Sequence, residues 1–135
     1  MKKPSLLATI SEKQIESEIL RYLNTITNCF AFKINTGGIF DPKTKRFRKI
    51  VNPHLYKGTS DIICCYEGGL IAFEVKKPKP NKTYASKDQK LFLDKIESAK
   101  GAGYVVRSVA EVKKIMEEKC LTHLKKSELC QKVIK

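Results

Sequence analysis

The sequence predicts an α/β domain, a mixed central β-sheet with helices on both faces. Three observations carry that expectation. Ser11, Ser86 and Ser108 are each followed three residues later by Gln or Glu, the pattern of a helix capping box, and each opens a stretch with apolar residues at helical spacing. Short apolar runs bounded by Gly, Pro and Asp lie between them and read as strands. Two of those runs, Ile62 to Tyr66 and Leu70 to Phe73, are nearly continuous in apolar residues, as strands covered on both faces are. At 135 residues the chain is expected to be one domain, with a core but little room for a second.

Taken in order, residues 1–10 form a loose basic lead-in. The first helix runs from Ser11 to about Thr25, with Ile15, Ile19, Leu23 and Ile26 as its stripe. Cys29 to Asn35 alternates Phe30, Phe32 and Ile34 with Ala31, Lys33 and Asn35, a half-buried strand that sends Lys33 to its polar face. Gly37 and Gly38 end it. A polar segment follows, read as a loose hairpin pairing Ile39-Phe40 with Ile50-Val51 around an Asp41-Pro42 turn. The two apolar runs then form a hairpin through a turn at Glu67, Gly68 and Gly69. Proline breaks the exit Lys77-Pro78-Lys79-Pro80. Ser86 caps the second helix, with Leu91, Phe92, Leu93, Ile96 and Ala99 expected inside and Gly101 and Gly103 ending it. Tyr104 to Arg107 is a last strand. Val112, Ile115, Met116, Leu121 and Leu124 extend an amphipathic helix, either continuous or broken near Cys120; Leu121, Leu124, Leu129 and Val133 alternatively form a further helix that packs on a partner subunit.

The net charge of +13, from 27 basic and 14 acidic residues, asks for a polyanionic partner. Nucleic acid is the leading one, ahead of an anionic membrane surface. No run approaches the ~18 apolar residues of a membrane span, and the start of the chain is too short in apolar residues for a signal peptide, so the expected location is the cytoplasm. The basic residues concentrate in the segment that leads to Gly58: Lys43, Lys45, Arg46, Arg48, Lys49 and Lys57 face Asp41 alone. This segment is a DNA-gripping arm or a merely solvated loop; with Lys33 and Lys77 it makes up the expected DNA contacts. The five cysteines (Cys29, Cys64, Cys65, Cys120, Cys130) include no Cys-x-x-Cys pair and read as small core residues, not as a zinc site or disulfide framework. His54 and His123 have no companion at ligand spacing.

The chemistry concentrates at the base of the hairpin. Asp61 precedes one strand and Glu74-Val75-Lys76 ends the other, so an antiparallel hairpin makes Asp61 and Glu74 neighbours, with Lys76 on the same face as Glu74. Two adjoining carboxylates repel, and a hard divalent cation such as Mg²⁺ or Mn²⁺ relieves that repulsion. Lys76 beside them could orient water or stabilise charge developing on a phosphate. An isolated Glu-x-Lys is otherwise an ordinary salt-bridged strand end. Glu12 and Glu16, one turn apart on the first helix, either complete this site or merely favour the helix dipole, and spacing does not separate the two residues. Gln89 precedes Phe92 and Leu93 on the buried stripe, so its amide points inward.

Gly58-x-x-Asp61, the hairpin, Glu74-Val75-Lys76 and Ser86-x-x-Gln89 together resemble the VRR-NUC domain of the PD-(D/E)xK nuclease superfamily, in particular its small stand-alone phage-type members. The resemblance covers about residues 11–116 and leaves a basic extension over 117–135. The motif's acidic residue follows Ser60 here rather than Pro. The resemblance implies a restriction-endonuclease-like core and a Mg²⁺- or Mn²⁺-dependent DNA endonuclease, similar to Holliday-junction resolvases that act as homodimers on branched DNA. It further implies Asp61 and Glu74 as metal ligands with the Val75 carbonyl, Lys76 as a catalytic lysine, a first-helix glutamate (Glu12 or Glu16) in the site, and Gln89 as an accessory residue. Flaps, free ends or duplex sites are alternative substrates, and a non-catalytic DNA-binding module is the rival class.

Overall fold

A computed structural model describes residues 10–34, 39–48, 54 and 56–134. Helix α1 (Glu12–Leu23) starts at Ser11, whose side chain accepts from the Gln14 N–H while the Gln14 side chain accepts from the Ser11 N–H, so both capping-box bonds form. Four strands, β1 (Cys29–Lys33), β4 (Ile62–Tyr66), β5 (Gly69–Val75) and β6 (Ala102–Val106), make one sheet in the order β1-β4-β5-β6. β1, β4 and β5 are antiparallel neighbours; β6 joins β5 in parallel after the crossover through α2 (Lys87–Ser98). Among the described residues the short strands β2 (Ile39–Asp41) and β3 (Arg46–Arg48) pair with each other and with no other strand. Helix α3 spans Val109–Ile134. The expected mixed α/β sheet with helices on both faces is what forms.

The β4–β5 turn consists of Glu67 and Gly68, both with φ in the left-handed region (49° and 82°), while Gly69 already belongs to β5. A two-residue turn with positive φ at both positions matches the twist of the flanking strands. Strand alternation then sorts the sheet. Ile62, Cys64, Ile71, Phe73, Val75 and Val106 face α1 and α3, where Ile15, Ile19, Leu23, Val112 and Met116 close the core. Ala72, Glu74 and Gly103 face the other way, toward α2. A Cβ on Gly103 would stand 2.9 Å from Leu93 Cδ2, so a side chain there would push the helix off the sheet.

Several expectations are corrected. In β1 the inward residues are Cys29 and Ala31, and Phe30 and Phe32 are exposed, the reverse of the expected face. Lys33 therefore shares the α1 face instead of a polar one. The cause is packing against α1: Cys29 and Ala31 stand level with Tyr66 and Cys64 of the core, while Asn24, just past α1, holds the outer edge of β1 by donating from Nδ2 to the Ala31 carbonyl and accepting from the Ala31 N–H (3.0 and 2.9 Å). β4 is covered on one face only, since Cys65 is exposed while Cys64 is buried. Cys29 and Cys64 lie Sγ to Sγ at 3.3 Å as free thiols.

The arm hairpin is tighter than expected, Phe40 pairing with Phe47, and the expected partners 50–51 lie outside the described residues. Asp41 Oδ1 accepts from the Lys43 N–H, closing its turn. In α2 only Leu93 is buried and Leu91 is exposed. The helix ends at Ser98, with Lys100 rather than a glycine taking the left-handed conformation (φ 75°). α3 runs through Cys120 without a break. Glu111 receives the Arg107 N–H rather than that of Ser108, a capping box displaced by one residue. Among the described residues no helix is long and apolar enough to cross a membrane.

Candidate active site

The β4–β5 register sets Ile62 opposite Phe73, which brings the preceding Asp61 level with Glu74. The neighbourhood is locked by backbone bonds: the Val75 N–H donates to Asp61 Oδ2 at 2.8 Å, and the Ile34 N–H donates to the Asp61 carbonyl at 2.9 Å. Glu74 lies in the middle of the sheet at 1% exposure. Its Oε1 accepts from Gln89 Nε2 at 2.7 Å and faces Lys76 Nζ at 3.6 Å, and its Oε2 is buried with no hydrogen-bond partner. Burial foremost, and then the Asp61 carboxylate, push the Glu74 carboxyl up to about 8, against the opposing pull of Lys76.

Gln89 serves two purposes. Its Oε1 accepts from the Ser86 N–H at 2.8 Å, completing the α2 capping box, and that bond leaves Nε2 aimed at Glu74. The approach of α2 depends on Gly58. There φ is +84°, and a Cβ would stand 2.4 Å from the Asp88 carbonyl and 2.7 Å from the Gln89 nitrogen. The Gly-x-x-Asp spacing thus carries the chain beneath the N-terminus of α2 and delivers Asp61 to the sheet.

Lys76 leaves β5 with its N–H bonded to the Val106 carbonyl, its side chain only 13% exposed. The loop beyond it is held by Arg107, whose Nη1 donates to the carbonyls of Lys77 and Thr83, both at 2.6 Å. Thr83 Oγ1 accepts from the Lys77 N–H and donates to Glu12 Oε1 at 3.0 Å. Sequence reasoning gave Arg107 and Thr83 no role. Their contacts join segments distant in sequence, and neither residue sits in a recognisable spacing.

The two first-helix glutamates have different surroundings. Glu16 is buried and ion-paired with Lys33, Oε2 to Nζ at 2.9 Å; Glu12 is half-buried against Thr83. Among the described residues no group of three His, Cys, Asp or Glu side chains stands together, so neither joins Asp61 and Glu74. Lys43, Lys45 and Arg46 are exposed on the β2–β3 hairpin, and Lys57 is exposed beside Asp88 at 3.3 Å. Lys49 lies outside the described residues. His123, expected to have no role, pairs with Glu67 at 3.4 Å and sets its ring edge against Tyr66.

No family model and no curated protein matches the chain. Among solved structures it is similar to a VRR_NUC domain protein, with a TM-score of 0.54 over 81% of this chain and 87% of that one at 13% identity. A likeness at that identity is one of fold. The chain has a nuclease-like α/β fold of the VRR_NUC type, with Asp61, Glu74, Lys76 and Gln89 on one face of its sheet.

Proposed function

We propose that the protein is a Mg²⁺- or Mn²⁺-dependent endodeoxyribonuclease acting on branched DNA, in the manner of a junction resolvase. The observation that carries this reading is Glu74: a buried carboxylate beside a second carboxylate, with one oxygen unpartnered. A buried polar atom without a partner is costly, and the two adjoining carboxyl groups are both ionised only with a positive charge between them; without one, Glu74 keeps its proton. Lys76 supplies only part of that charge, at 3.6 Å from the other oxygen of Glu74. The donors are all hard oxygens, which suits Mg²⁺ or Mn²⁺ and not a soft metal.

Asp61, Glu74 and the Val75 carbonyl would hold the cation. When bound, it supplies Lewis acidity toward the phosphate and lowers the pKa of water. Gln89 keeps Glu74 in the rotamer that presents its free oxygen. The Lys76 ammonium, held in place with little water around it, stabilises negative charge developing on the phosphate or orients the attacking water. Glu12 and Glu16 remain the candidates to complete the site through a shift of α1 or of their present partners. Lys43, Lys45, Arg46, Arg48, Lys49 and Lys57, with Lys33 and Lys77, would meet phosphates and position the DNA. Symmetric cutting of a junction needs two sites related by a two-fold axis, hence a homodimer on DNA.

The test is cleavage of end-labelled four-way junction, flap and linear duplex, with Mg²⁺, Mn²⁺ or EDTA, alongside Asp61→Ala. Paired nicks in the junction that need both metal and Asp61 are expected, with DNA binding by the variant retained. Cleavage by Asp61→Ala at the wild-type rate would sink the site assignment. Binding without cleavage under every metal would leave a DNA-binding domain.

A further inference from the structure

We propose that the uncovered half of the active-site face of the sheet is a stacking platform for unpaired nucleobases. Among branched DNAs this favours a flap, whose strand is unpaired on one side of the scissile phosphate, over a fully paired four-way junction; it rests on the nuclease part of the reading above and not on its junction preference. Ile34, Asp61 and Glu74 form one cross-strand row, since the Ile34 N–H bonds the Asp61 carbonyl. Alternation places Phe32, Ile63, Ala72 and Gly103 in the next row on the same face, and Phe30, Cys65 and Leu70 in the row after it. Among the described elements α2 covers β5 and β6 but touches neither β4 nor β1. Phe30 and Phe32 are accordingly 64% and 41% exposed, beside exposed Cys65 and Leu70.

This apolar face is continuous with the carboxylates. Rows on one face of a strand are about 7 Å apart, so Phe32 lies one row and Phe30 two rows from Asp61. A strand whose phosphate reaches Asp61 and Glu74 lays its next bases over these rings. The ring centroids are 5.6 Å apart at 35°. That exceeds the ~3.4 Å step of a duplex strand, leaving the rings spaced for bases splayed apart from one another. Duplex DNA keeps its base faces inside the stack, so rings lying on a sheet surface find no open base face there unless the duplex is unstacked. The charge of +13 attracts a polyanion to the protein. Aromatic rings within a strongly basic protein are the combination that binds single strands.

The test uses the full chain in EDTA, where binding is separated from cutting. Fluorescence anisotropy compares a labelled flap with a fully paired duplex, and 2-aminopurine placed along the flap reports stacking. Wild type should quench 2-aminopurine at the first one or two unpaired positions. Phe30→Leu with Phe32→Leu keeps the face apolar but removes the rings; it should lose the quench and bind the flap at least about tenfold more weakly, with duplex affinity unchanged. Phe30→Trp should keep both properties. Unchanged flap affinity in the double variant, or a quench that survives it, overturns the platform. So does a shift from dimer to monomer in the double variant, which would make this face an interface between copies. Failure of wild type to cut any DNA with any metal would overturn the nuclease reading instead, and the anisotropy result stands apart from it.

Discussion

Glu74 keeps its proton to about pH 8 in the folded protein, whereas an unfolded glutamate releases it near 4.5. Between those values the folded state binds more protons than the unfolded one, so stability falls as pH rises. The contribution is full below about 4.5 and lost on passing 8, with a slope of up to roughly 1.4 kcal/mol per pH unit. In EDTA the urea midpoint should drop between pH 5.5 and 8.5, and Glu74→Gln should flatten that dependence. If Asp61 and Glu74 hold a cation, Mn²⁺ should restore the midpoint at pH 8.5 in wild type and not in Glu74→Gln. Gly58 makes a separate prediction. Alanine there must adopt φ +84° and overlap the Asp88 carbonyl, so Gly58→Ala should cost more than about 1 kcal/mol in chemical denaturation and reduce cleavage by drawing Gln89 away from Glu74.

Helix α2 couples a local signal to the site, because one Gln89 side chain caps the helix and holds Glu74. Ser86→Ala removes a cap and should cost about 1 kcal/mol while leaving Gln89 on Glu74. Gln89→Ala should destabilise by a similar amount and in addition lower the cleavage rate; equal rates in the two variants would reduce Gln89 to a cap. Among the described elements the β2–β3 hairpin contacts no other, and its Lys43, Lys45 and Arg46 are exposed. Replacing Lys43, Lys45 and Arg46 with Ser should weaken binding to all DNA alike. It should also lower the slope of log affinity against log salt by about 0.9 for each phosphate no longer neutralised. The capping boxes at Ser11 and Ser86 and the β4–β5 hairpin were legible in the sequence because each is closed by residues a few positions apart. The face of β1 was not. Alternation shows that Phe30 and Phe32 oppose Ala31 and Lys33, but the packing of Cys29 and Ala31 into the core under α1 and the Glu16–Lys33 pair select which set turns inward.

Across the whole molecule, the charge of +13 and the open aromatic face are the two features on which the proposed nucleic-acid binding rests, and both lie on a fold similar to that of a VRR_NUC domain protein. The order of elements, the juxtaposition of Asp61 with Glu74 and the basic character all follow from periodicity, turn chemistry and composition along the chain. Tertiary structure alone decided how deeply Glu74 is buried, which oxygen it leaves unpartnered, and how far Arg107 and Thr83 brace the loop after Lys76. It also placed Glu16 against Lys33 and Glu12 against Thr83, and left Phe30 and Phe32 in solvent. The physical reason is range. Caps, turns and alternation are set by neighbours along the chain, whereas burial and the partner of each charge depend on segments that meet only once the sheet and its helices have packed.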